Sequence, residues 1–152
     1  MTDDEVAALA DHPRAFWRKF TVTESDLDGF RHVNNAVYLK WIDATIWDHT
    51  RAVGLGEDVC MSLNRGMAAV RHEIDYLASA LLGDEVVVYN WIVENDGRLR
   101  ATRLIQMIRL SDRKTLLRAK SFYVSINLST GHPTRMPEAF VSGYPVLIST
   151  DS

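Results

Sequence analysis

The chain has 152 residues, of which 47% are hydrophobic, and it carries a formal net charge of −3. This length favours one domain over residues 1–152, and the near-neutral charge gives no reason to expect a nucleic acid or an anionic membrane as partner. Cys60 is the only cysteine, which excludes an internal disulfide and gives no sign of an oxidising compartment.

The N-terminal segment begins Met-Thr-Asp-Asp-Glu. It lacks the basic start and apolar core of a secretory signal, and no apolar run in the chain is long enough to span a bilayer. We therefore expect a cytoplasmic protein without a membrane partner. Residues 1–12 are acidic and rich in alanine, and we expect them to be a flexible terminus with at most a frayed helical turn.

A first strand is predicted over residues 16–23, where side chains alternate between two sides. Phe16, Arg18, Phe20 and Val22 share one side. A turn-rich segment follows, with the carboxylates Asp26 and Asp28 beside Gly29. We expect Asp26 to stabilise the turn.

A long helix is predicted over residues 36–53, before Gly54. Asn34 or Asn35 would be its N-cap, since either side chain can accept a hydrogen bond from a free helical N–H. Apolar side chains occupy nearly all sides of this helix, so we expect it to be buried on most of its faces.

Four more strands are predicted over residues 67–77, 85–94, 99–110 and 115–127. Asn95-Asp96-Gly97 is a strong hairpin signal between two of them. The order of one strand, one long helix and four strands predicts an antiparallel α+β domain. The second of these runs is apolar on both faces. Its outer face stays bare unless something packs on it, which favours an oligomer without fixing its order. The sequence does not decide whether residues 137–152 cover a sheet edge or meet a partner.

The helix start is the strongest candidate for chemistry. The first N–H groups of a helix have no partner inside it, and together with the helix dipole they favour negative charge. Asp28 lies seven residues before Asn35, so a tight turn can bring its carboxylate across from the helix start. There it can attack a carbonyl, or activate water, while the helix start holds the oxyanion.

Other kinds of site find no support. The five histidines lack metal-ligand spacing, so we expect no metal and no cofactor. There is no Gly-Lys-Ser/Thr loop for nucleotide phosphates. There is also no Gly-x-Ser-x-Gly nucleophile elbow, which excludes an α/β-hydrolase.

The segment from Ser25 to Tyr38, with Asp-x-Asp, His-Val-Asn-Asn and Tyr, resembles the signature of the hot-dog-fold thioesterases of the 4-hydroxybenzoyl-CoA thioesterase type. The same pattern recurs in plant acyl-carrier-protein thioesterases. Later segments of the same family are resembled by residues 71–77 followed by 82–84, by residues 119–125 and by residues 130–137. The resemblance implies a hot-dog fold, in which an antiparallel sheet of about five strands wraps around a long central helix. It also implies a homodimer or homotetramer with the active site at a subunit boundary.

The resemblance also implies residue roles. Asp28 falls on the nucleophile or general base, and Asn35 on the position whose backbone N–H polarises the thioester carbonyl. His32 belongs to the catalytic set in the plant enzymes but is a turn or substrate contact in many bacterial relatives. Separately from the resemblance, we expect Tyr38, one helical turn after Asn34, to pack in the core with its hydroxyl lining the substrate site, beside Asn34.

Two positions depart from the family patterns. Phe30 replaces an asparagine of the plant pattern. A phenyl ring cannot hydrogen-bond a carboxylate, so the resemblance does not extend to a plant-style Asp/Asn/His network. Arg31 replaces a glycine that is frequent in bacterial relatives.

Three functions remain open at this point. The first is hydrolysis of acyl-CoA to free acid and CoA. The second is a thioesterase acting on acyl-carrier protein, and the third is a non-catalytic module that binds an acyl thioester. A hydratase of the same fold lacks support, because its His/Asp arrangement is not found.

Overall fold

The computed structural model describes residues 1–147. Five strands and four α-helices lie within them. The strands are β1 (Phe16–Thr21), β2 (Arg65–Tyr76), β3 (Glu85–Asn95), β4 (Arg100–Arg109) and β5 (Lys114–Asn127). The helices are α1 (Asp3–Ala7), α2 (Asn35–Ala52), α3 (Glu57–Leu63) and α4 (Glu138–Gly143).

All five strands form one antiparallel sheet in the order β1-β3-β4-β5-β2. The five predicted strands and the long helix are confirmed, with bounds that differ by one or two residues. The short helices α3 and α4 were not predicted. Within residues 1–147, no helix combines the length and hydropathy needed to cross a bilayer.

Helix α2 packs one face against the sheet. Tyr38, Trp41, Ile42 and Ile46 are buried in the main core with side chains from β3, β4 and β5. Strand β1 contributes two stacked rings on the same side, Phe16 against His49 and Phe20 against Trp41, as its predicted alternation requires. This antiparallel sheet with one long helix on its inner face is the hot-dog fold.

The opposite face of α2 differs from expectation. Ala36, Leu39, Lys40 and Asp43 are exposed, so the prediction of a helix buried on most faces was wrong for the single chain. The sheet is open and covers the helix from one side only, and no other element of residues 1–147 covers the second side.

The chain itself covers the outer face of the sheet at β3 and its two neighbouring strands. Val87, Tyr89 and Trp91 of β3 pack with Val6 of α1 and with neighbouring apolar residues. The Tyr89 hydroxyl donates a hydrogen bond of 2.6 Å to the carbonyl oxygen of Val6. The expectation of a flexible terminus over residues 1–12 did not anticipate these contacts. The apolar outer face of β3, which favoured an oligomer in the sequence, is thus packed within the chain by Val6 of α1 and by Leu9, Ala10 and Ala15 after it.

Candidate active site

A small hairpin carries Asp28 directly before α2. Leu27 and Val33 form its antiparallel bridge. The Asp28 amide donates to the His32 carbonyl at 2.8 Å, and the Asn34 amide donates to the Asp26 carbonyl at 2.9 Å. The hairpin therefore joins the two carboxylates to the N-cap of α2. A further bond from the Val33 amide to the Ala80 carbonyl, at 3.1 Å, ties it to the β2–β3 connection.

One carboxylate oxygen of Asp28 is occupied by its own loop. Oδ1 accepts hydrogen bonds from the amides of Phe30 at 2.9 Å and His32 at 3.3 Å. Oδ2 has no donor among residues 1–147. The side chain is thus held in a fixed orientation by one oxygen while the other stays available, which suits a nucleophile or a general base.

The start of α2 offers a free donor. Asn34 is the N-cap, and its Oδ1 accepts from the Ala36 amide at 3.0 Å. The Val37 amide donates to the Asn34 carbonyl at 2.8 Å. The Asn35 amide, at the first helical position, finds no acceptor in the part of the chain described. An unpaired N–H at the positive end of an 18-residue helix can bind a carbonyl oxygen that gains negative charge.

The other predicted site residues have more local roles. Asp26 accepts from the Thr23 amide at 2.8 Å, so it stabilises the turn as expected. The ring of His32 is exposed, and no hydrogen bond within residues 1–147 holds it. Tyr38 is buried, and its hydroxyl accepts from the Ala80 amide at 2.8 Å. Burial raises the pKa of this hydroxyl, and its bond to Ala80 ties α2 to the β2–β3 connection.

Tyr76 was not singled out from the sequence. It lies at the end of β2, and its hydroxyl donates to the Asn35 carbonyl at 3.4 Å. Its ring also contacts Tyr38, with 5.8 Å between the ring centroids. The residue is nearly half exposed at the helix start. Only the tertiary contact between the end of β2 and the start of α2 reveals this neighbourhood.

Arg31 occupies a left-handed backbone position with φ of 63°. The loop of residues 29–31 is a tight turn closed by a bond from the Arg31 amide to the Asp28 carbonyl, and its third position favours glycine. We expect Arg31→Gly to be more stable than Arg31→Ala by about 1 kcal/mol, because only glycine adopts this conformation without strain.

The alanine variant is the matched control, since both substitutions remove the exposed ion pair with Glu24. Urea unfolding of the two variants measures the difference. Equal unfolding free energies would show that position 31 carries no backbone strain.

A second polar cluster lies inside the domain, and the sequence did not indicate it. Nη1 of Arg103 donates to Asn90 Oδ1 at 2.6 Å and to His49 Nδ1 at 2.8 Å. The guanidinium lies over the rings of Tyr123 and Tyr144, at 5.8 and 5.4 Å from their centroids. The five residues come from five separate parts of the chain, so no motif joins them.

His49 is neutral in this cluster. Its burial, with the adjacent Arg103 charge as a second cause, lowers its pKa to about 4. Because the folded pKa lies below the ordinary value of about 6.5, the unfolded chain binds the proton more readily. The stability contributed by the neutral ring is complete above pH 6.5 and is lost as the pH falls toward 4.

We expect this loss to cost about 2 to 3 kcal/mol of unfolding free energy between pH 7 and pH 4. The matched variant is His49→Gln, whose amide oxygen accepts from Arg103 but does not titrate in this range. Urea unfolding at pH 7, 5 and 4 should show a steeper loss for the wild type than for His49→Gln. Parallel pH profiles would contradict the assignment.

Within the described residues, His, Cys, Asp and Glu side chains do not gather in any group of three that could hold a metal ion. The comparison with protein families indicates thioester chemistry. A family model described as the thioesterase-like superfamily matches residues 22–143. A search of curated proteins gave no match.

Several solved structures share the fold. A 1,4-dihydroxy-2-naphthoyl-CoA thioesterase from Synechocystis is 20% identical, with a TM-score of 0.76 over 86% of this chain and 95% of the other. A hypothetical protein from Staphylococcus aureus in complex with CoA is 19% identical, with a TM-score of 0.79 over 91% and 90%. A 12:0-ACP thioesterase from Umbellularia californica is 17% identical, with a TM-score of 0.75 over 90% of this chain and 56% of the other.

Proposed function

Since the chain belongs to the thioesterase-like superfamily, we propose that it hydrolyses acyl-CoA thioesters to a free acid and CoA at the start of α2. One observation carries this proposal: a carboxylate on the small hairpin and a backbone amide at the start of the helix that follows it both have unused hydrogen-bonding capacity. Among residues 1–147, one carboxylate oxygen of Asp28 has no hydrogen-bond donor, and the backbone amide of Asn35 has no acceptor.

In the proposed reaction, the thioester carbonyl oxygen accepts a hydrogen bond from the Asn35 N–H. Asp28 then acts in one of two ways. It attacks the carbonyl carbon to form a mixed anhydride that water hydrolyses, or it removes a proton from a water that attacks directly. Both routes expel the CoA thiolate, which takes up a proton. In both, the helix start stabilises the charge that develops on the carbonyl oxygen.

The remaining predicted residues have supporting roles in this proposal. Asn34 fixes the helix start through its bond to the Ala36 amide. The His32 side chain contacts the bound thioester, and its backbone amide donates a hydrogen bond to the Asp28 carboxylate. Tyr76 lies close enough to the helix start to border the bound thioester.

We also propose that two copies pair along β2 and the exposed face of α2. Strand β2 is an edge strand of 12 residues, and such a long free edge is a surface for pairing. Val70 and Leu77 are more than half exposed on or beside it. The pairing would place the partner next to Tyr76 and the helix start.

Light scattering is expected to give at least twice the mass of one chain. Val70→Lys should shift the protein toward the monomer, because it places a charge on the free edge. A wild type that is monomeric at micromolar concentration would remove this part of the proposal.

The substrate is tested with a panel of thioesters from short aliphatic to long-chain and aryl, each assayed for released thiol. Turnover of at least one acyl-CoA supports the hydrolase. Matched acyl groups on CoA and on acyl-carrier protein separate the two enzyme functions. Binding without thiol release across the whole panel would instead favour the non-catalytic module.

A further inference from the structure

A cavity of about 410 Å³ lies between the C-terminal half of α2, α3 and the start of β2. Small residues of β2, including Gly66, Ala68 and Ala69, leave this space open. Asp43 and Met61 at its rim are exposed, whereas Thr50, Ile92 and Arg103 are buried at its deep end. Asp43, at the rim, follows Asn35 by eight residues along α2, which corresponds to about 12 Å along the helix axis.

The deep end of the cavity contains a cation without a counter-ion. Arg103 is only 5% exposed, and it forms no ion pair with any carboxylate of residues 1–147. A buried charge is costly unless it is paired and hydrogen-bonded. The faces of Tyr123 and Tyr144 compensate part of this cost, but they supply no negative charge.

The cluster around Arg103 also has more donors than acceptors. A guanidinium carries five N–H groups, and only Nη1 finds acceptors here, on Asn90 and His49. Nε and Nη2 have none within residues 1–147. The Nδ2 amide of Asn90 is buried and also lacks an acceptor. His49 is neutral, so it adds no compensating charge. The unmet requirement is for oxygen atoms with negative charge.

The other charges at the cavity lie at its mouth. Glu57 is bound to Arg51, with 2.6 Å between Oε2 and Nη2. Asp43 has no ion pair among the described residues and lies at the exposed rim. Neither neutralises the guanidinium at the deep end.

We propose that this cavity binds a carboxylate attached to an apolar chain, with the carboxylate on the Nε and Nη2 groups of Arg103 and the chain against Ile46, Trp47 and Met67. A guanidinium presents two parallel N–H groups that match a carboxylate. Two sources supply this chemistry. One is a free carboxylic acid, and the other is an acyl thioester whose acyl chain ends in a second carboxylate.

The binding test compares decanoate with decanol by isothermal titration calorimetry, because the two differ mainly in charge. Wild type should bind decanoate about 10- to 100-fold more tightly than decanol. Arg103→Met should lose this preference while still binding decanol, which shows that the cavity remains. If Arg103→Met does not fold, Arg103→Gln keeps an N–H donor for Asn90 or His49 without the charge, and should lose the preference equally.

Asp43→Asn is the control at the rim and should bind decanoate at least as tightly as wild type, since it removes a like charge. Equal binding of decanoate and decanol by wild type would overturn the proposal. A preference for decanoate that survives in both Arg103 variants would also overturn it.

The second arm identifies the source of the carboxylate, and it rests on the proposed hydrolase function. It compares thiol release from decanoyl-CoA and from the mono-CoA thioester of decanedioic acid. Faster release from the diacid thioester, lost in the Arg103 variant, assigns the cavity to the acyl chain. Equal rates assign it to a free acid. Release from neither compound would count against the hydrolase and leave the calorimetric result standing.

Discussion

Asp28→Asn is expected to lower the rate of thioester hydrolysis by about 100- to 10,000-fold while leaving the fold intact. The amide oxygen of asparagine can still accept from the amides of Phe30 and His32, which are the bonds that Oδ1 of Asp28 makes now. The hairpin should therefore persist, and only the negative charge is lost. Thiol release measures the rate, and thermal unfolding confirms the fold.

The neighbouring carboxylate is the matched control. Asp26→Asn makes the same chemical change two residues away on the same hairpin, and its amide oxygen can still accept from Thr23. This variant should hydrolyse thioesters close to the wild-type rate. Comparable losses in both variants would indicate a general effect of loop charge. Full activity of a folded Asp28→Asn protein would remove the assignment of Asp28.

Asn35→Pro is expected to lower the hydrolysis rate by about 100- to 1,000-fold, because it deletes the N–H proposed to bind the carbonyl oxygen. Proline is well tolerated at the first position of a helix, where the missing N–H breaks no helical bond. Asn34 already has φ of −62° and ψ of 136°, the extended conformation that a residue before proline requires. We expect the thermal midpoint to change little.

Asn35→Ala keeps the backbone amide and removes only the side chain. It should retain most of the activity, so a large difference between the two variants reports on the N–H itself. If Asn35→Pro is folded and fully active, the carbonyl oxygen binds elsewhere. If alanine is as damaging as proline, the side chain rather than the amide is needed.

The sequence predicted the strands and the long helix because their signals are local. Alternation over residues 16–21 and the Asn95-Asp96-Gly97 turn each depend on a few adjacent residues. The helices α3 and α4 were missed because seven and six residues give too little periodicity to stand out. The packing of the N-terminal segment on the outer face of β3 was not predicted, because an acidic, alanine-rich terminus gives no sign that Val6 packs with Tyr89.

In the candidate site, too, the sequence predicted the features that are local in the chain and missed the contacts between distant residues. The hairpin of Asp28 and the start of α2 are close in the chain, so spacing alone placed them in one neighbourhood. Tyr76 reaches Asn35 across 41 positions, and Arg103 reaches His49 across 54. No local pattern records such contacts.

By itself the sequence determined the order of the secondary structure, the acid that precedes the helix and the resemblance to a thioesterase family. The tertiary structure decided which oxygen of Asp28 is occupied, which amide at the helix start lacks an acceptor and which arginine is buried without a counter-ion. The physical reason is that hydrogen-bond satisfaction and burial are properties of packed neighbours. They become definite only when strands distant in sequence bring their side chains together.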